Sequence, residues 1–191
     1  MFNADLATTT ARAAPLLVAL RRTARPDLAR VNAYSRLASR PSGSPDYRTF
    51  VDLHQRWLAG LDRALADAAL PYDLPITGVR LGANATEPAA IAPVTSRAQG
   101  LAYLYVFEAF RLGCRVLLRQ LRAIGVDVGP AGPILSEVGA GANRAWLDLS
   151  RALRRAAADE YGAVLENARA LFAEWERSTG AAAVLATVQA R

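Results

Sequence analysis

Residues 101–121 read LAYLYVFEAFRLGCRVLLRQL. The run is strongly apolar, but Glu108, Arg111 and Arg115 interrupt it every three or four residues. Charges that frequent are too costly for a membrane span, so the spacing predicts a buried helix of a water-soluble fold. Upstream, Ser96 and Gln99 stand three apart in a capping-box pattern, which starts the helix there and carries it to about Ile124. Three features mark its interior. Glu108 stands in an aromatic run, where Arg111 is within reach as a partner. Gly113 occupies a mid-helix position, at a cost of about 1 kcal/mol relative to Ala. Arg111, Arg115, Arg119 and Arg122 follow at spacings of four, four and three, which aligns them as one basic stripe. Such a stripe reads either as a solvated face or as an anion site. The glycine would let another backbone, or a flat ligand, come close.

Outward from this helix, periods of three and four recur and no alternating strand pattern appears. Pro15 suits the first turn of a short helix reaching Arg22. Pro26 opens a second segment carrying Leu28, Val31, Tyr34 and Leu37. Ser39 to Pro45 is a loop by composition. Asp46 can cap a helix over Tyr47 to Leu70, with Phe50, Leu53, Trp57, Leu58, Leu61 and Leu65 on its apolar face. Residues 71–93 and 125–142, rich in Pro and Gly, predict two long irregular connections. Helices over Asn143 to Ala156 and Asp159 to Arg177 complete the chain. The expectation is an all-α, single-domain helical bundle over 14–178, with tails at 1–13 and 179–191.

Composition narrows the chemistry. The chain has 191 residues, 52% apolar and 21% charged, so it can build a full core. It has one Cys and one His, which excludes an intramolecular disulfide framework, thiolate-rich metal sites and every site needing two imidazoles, di-iron centres included. All 23 basic residues are Arg. Without Lys, Schiff-base chemistry and a Walker-type phosphate lysine are absent. No Gly-rich loop follows a strand, and no Ser-His-acid pattern is present. The net charge of +6 favours anionic partners, among them an acidic protein. Nucleic acid fits less well, because neither a helix-turn-helix nor an aromatic platform accompanies the Arg stripe. Met1 to Ala14 lacks the pattern of a secretory signal, which leads to the expectation of a cytoplasmic protein with no membrane segment.

The segment LYVFEAFRLGCRVLLRQL, residues 104–121, resembles the distal helix of bacterial heme oxygenases of the bacteriophytochrome-associated type. That helix typically reads LYVLEGSxLGGxxLxxxL. Matching positions are Leu104, Tyr105, Val106, Glu108, Leu112, Gly113, Leu117 and Leu121. Residues 20–37, LRRTARPDLARVNAYSRL, resemble the family's first helix, LRxATRxxHxxLD. Residues 45–65, PDYRTFVDLHQRWLAGLDRAL, are similar to its YxxFLxxxxxxxxPLEAAL helix, with Asp62 at the Glu. The stretch from Trp146 to Trp175 fits the closing helices more loosely.

The resemblance implies an all-helical fold that holds heme between a proximal helix, with a His on the iron, and a distal helix whose glycines leave room for dioxygen. Basic and Tyr side chains hold the propionates, and heme is converted to biliverdin, carbon monoxide and iron. It places Tyr105, Glu108, Ala109, Phe110, Gly113 and Cys114 at the distal pocket, and Arg21, Arg111 and Arg115 as propionate or anion contacts.

This chain departs from the pattern on both sides of the pocket. Leu28 stands at the proximal His position, and a one-residue shift offers Asp27 or Ala29 instead. Ala109, Phe110 and Cys114 replace small distal residues. His54 and Cys114 are the substitute metal ligands to weigh. The resulting expectation is a divergent member that is not a competent heme oxygenase, with weak tetrapyrrole binding or a regulatory interaction role. The alternatives are an active biliverdin-forming enzyme with a substitute ligand, and an Arg-stripe binder of nucleic acid or an acidic partner. Leu28 is expected to face Gly113, with Leu28 and Phe110 filling the space between.

Overall fold

The computed structural model describes residues 15–38, 44–69, 72–75, 87–123, 125, 136 and 139–179. Five helices run in the order α1 (Pro15–Ala38), α2 (Ser44–Ala68), α3 (Arg97–Ala123), α4 (Ala142–Arg155) and α5 (Glu160–Thr179). No strand occurs among the described residues, so the fold is all-α as the periodicity predicts. The two tails, residues 39–43, and most of 71–86 and 126–138 lie outside the described residues. The side chains of Val31, Tyr34, Leu37 and Phe50 lie outside them as well. Helix α2 starts at Ser44, earlier than expected, so Asp46 lies inside it and is not its cap, and Ser44 and Pro45 belong to the helix and not to the loop; Pro45 suits a first helical turn.

Pro26 does not start a new helix. It sits inside α1, which is continuous from Pro15 to Ala38. An interior Pro removes a backbone hydrogen bond at a cost of about 3 kcal/mol. The compensation is a continuous buried stripe: Leu16, Leu20 and Ala24 are buried, Leu28 packs partly against the same core, and Pro26 itself is exposed. The stripe crosses the proline on the face opposite to it.

The expected cap of α3 is present with one change. Ser96 Oγ accepts from the Gln99 amide at 3.2 Å, but Gln99 Oε1 reaches back to the Thr95 amide at 2.8 Å, one residue beyond a standard capping box. At the start of α5, Glu160 accepts from the Ala157 amide at 2.9 Å and from Arg97 at 2.8 Å, tying this end to the first turn of α3.

Helix α3 is the central element. It packs along α5, α4 and α2, while α1 packs on α5 and α4. Arg30 of α1 clips onto Glu176 of α5. No helix of the described residues is long and apolar enough to cross a membrane.

A segment at 87–91 crosses α2. Ala89 donates to the Arg56 carbonyl at 2.9 Å, and Arg56 Nε donates to the Glu87 carbonyl at 2.9 Å. This crossing is possible because residue 60 is glycine: a Cβ there would overlap the Ala89 carbonyl oxygen. Gly60→Ala is therefore expected to destabilise the protein by about 1–3 kcal/mol, as overpacking against backbone does. A urea titration checks this, the expected result being a lower midpoint at unchanged slope.

Candidate functional site

The residues that the heme oxygenase resemblance gathers into one pocket are distributed around α3. Tyr105 faces α4, its ring centroid 5.9 Å from that of Trp146. Arg21, reaching over from α1, sets its guanidinium carbon 5.8 Å from the centre of the Trp146 ring, within cation–π range. Burial pushes the Tyr105 phenol well above its ordinary value, with nearby Arg21 opposing and Asp27 reinforcing the shift. Arg21 and Tyr105 are thus brought together, but through Trp146, a residue that sequence placed only within a loose closing segment.

Glu108 and Arg111 form the pair their i, i+3 spacing permits, Nη1 to Oε1 at 2.8 Å, with both side chains almost wholly buried. Arg111 also donates to the Ala140 carbonyl, and its guanidinium carbon stands 5.6 Å from the centre of the Phe107 ring. Glu108 Oε2 is buried and accepts no hydrogen bond from the described residues. Desolvation pushes the Glu108 carboxyl up to about 7, against the downward pull of Arg111. One turn on, Arg115 donates to Asn143 Oδ1 at 2.6 Å, and its side-chain stem fills the space a Cβ on Gly139 would need. Together Arg111 and Arg115 clamp residues 139–143, which lead into α4 from the left-handed Gly141 (φ 69°). The basic stripe is therefore divided. Its first two members hold the chain together, and only Arg119 and Arg122 are exposed.

Phe110 points elsewhere. Its ring centroid lies 5.6 Å from His54, 5.0 Å from Trp57, 5.4 Å from Trp175 and 6.1 Å from Phe172. This aromatic cluster joins α2, α3 and α5 and forms the centre of the core. His54, 5.4 Å from Trp175 as well, is a buried member of it. Cys114 is buried, and desolvation pushes its thiol up to about 12, so it stays protonated at neutral pH. Among the described residues no three of His, Cys, Asp and Glu gather as a metal ion would require.

Leu28 is half-buried against the core, Ala29 is exposed, and Asp27 pairs with Arg30. Ala109 and Gly113 are half-buried on α3. Among the described residues nothing lies within 4 Å of a Cβ on Gly113, so none of their backbone requires glycine there. Gly113→Ala is accordingly expected to raise stability by up to about 1 kcal/mol through helix propensity. Thermal melting reads the sign directly.

In this set, heme iron finds no fitting ligand. Leu28 has no lone pair, the His54 imidazole is packed into the aromatic core, and Cys114 is held as a thiol. Compared with known proteins, the chain matches no family model, no curated protein and no solved structure.

Proposed function

We propose that this chain is a divergent, heme oxygenase-like cytoplasmic protein of bacterial type that acts by binding and not by turnover. One observation carries this reading. The chain has a single His, and that His54 is packed between Phe110 and Trp175, while Leu28 stands at the position the resemblance assigns to the iron ligand. The anion contacts are weakened in parallel. Arg111 and Arg115 are committed to Glu108, Ala140 and Asn143, which leaves Arg21 as the half-exposed candidate for an acidic group. Tetrapyrrole binding on this reading is weak and driven by apolar contact and one cation.

Hemin titration followed by Soret absorbance tests it. The native protein is expected to give no sharp, shifted band of axially ligated heme. Leu28→His is expected to give one, because an imidazole supplies the missing bond. A sharp ligated Soret band from the native protein would overturn the reading.

A further inference from the structure

The charge of this chain is unevenly placed. Helices α1 and α4 together hold nine Arg against two Asp, whereas the rest of the sequence holds fourteen Arg against fifteen carboxylates. The net positive charge thus resides on two helices that pack side by side, joined where Arg21 lies over Trp146. Their outer faces are solvent-exposed. On α1, Val18, Arg22 and Arg25 share one face, and on α4, Arg144, Leu147 and Arg151 share another. Val18 at 52% and Leu147 at 48% are the exposed large hydrophobic residues among those described. Each thus stands within a basic face. Asp148 is held between Arg144 at 3.7 Å and Arg151 at 2.8 Å, which orders the two guanidinium groups along the helix.

We infer that the joined α1–α4 face is a docking surface for an acidic amphipathic helix of a partner protein. Carboxylates of that helix meet Arg22, Arg25, Arg144 and Arg151, and its apolar seam covers Val18 and Leu147. Arg suits this role because its planar fork takes a carboxylate in two parallel hydrogen bonds. A nucleic-acid backbone fits less well, since Val18 and Leu147 would gain nothing from phosphates. An anionic membrane fits less well too, because one aliphatic residue per helix is far short of the continuous apolar face that interfacial insertion uses. The inference deepens the reading of the chain as a binding protein and rests on it.

The test uses a fluorescent synthetic helical peptide with Leu along one seam and Glu on either side, titrated with the full chain. The expected result is saturable binding that weakens with added salt. The double reversal Arg25→Glu with Arg151→Glu is expected to weaken it at least about tenfold, as like-charge juxtaposition does. Leu147→Ser, or replacing the peptide Leu by Ser, is expected to weaken it about threefold or more. These substitutions are on the surface, and circular dichroism melts verify that each variant is folded.

Absence of saturable binding, indifference to the charge reversal, or equal binding of the peptide without Leu would overturn the proposal. So would tighter binding of duplex DNA or of phosphatidylglycerol vesicles. Failure of the peptide together with absence of ligated heme removes the docking surface alone. A ligated Soret band or biliverdin removes the non-catalytic reading whatever the peptide does.

Discussion

Phe110→Ser is expected to unfold much of the protein and not to open a pocket beside Gly113. The ring stands at the meeting point of His54, Trp57, Phe172 and Trp175, and is 4% exposed. Replacing it with Ser removes these contacts and places a hydroxyl in an apolar cluster. Large-to-small changes of this kind cost about 3–5 kcal/mol, a large part of a typical domain's total stability. The expected observations are a sharp drop in the urea midpoint and loss of near-ultraviolet dichroism from the tryptophans. A variant with a near-native midpoint would show that the ring is dispensable to the core.

Arg111→Met is expected to have an effect of the same size for an electrostatic reason. It leaves Glu108 buried without its cation and the Ala140 carbonyl without its donor. Measured above about pH 8, where the Glu108 carboxyl is ionised, breaking one side of this buried ion pair costs about 3–5 kcal/mol. The double variant Arg111→Met with Glu108→Gln should recover part of that loss, because the stranded charge is gone; the difference measures the coupling.

The same pair predicts a pH dependence. The Glu108 carboxyl lies near 7 in the folded protein and at 4.5 ordinarily, so the folded state holds this proton more tightly. Glu108 therefore makes stability fall as pH rises from about 4.5 through about 7, by up to about 3 kcal/mol. Glu108→Gln should flatten that slope. Urea midpoints across this range check the sign, and a midpoint whose Glu108-dependent part rises with pH would contradict it.

Some of this arrangement is legible in the sequence. The helices follow from spacing, and the Glu108–Arg111 pair follows from its i, i+3 separation. Phe110 is a more instructive case. Five residues after Tyr105, it lies about 140° round the helix. The two side chains thus face different neighbours, Trp146 of α4 and the α2–α5 aromatic cluster. Alignment to a pocket motif hides that angle. Other features depend on contacts distant in sequence. Whether Arg111 and Arg115 are solvated depends on residues 139–143 docking over them. Whether Gly60 or Gly113 is the constrained glycine depends on where residues 87–91 cross. Pro26 misleads because local backbone chemistry argues for a break, while the buried stripe from Leu16 to Leu28 continues past it.

The central claim is that this bundle binds without turning over. The direct measurement is incubation of the full chain with hemin, a reductant and oxygen, followed by biliverdin absorbance and carbon monoxide release. The account predicts neither product above the level given by hemin alone. Stoichiometric biliverdin and carbon monoxide from the native protein would contradict it.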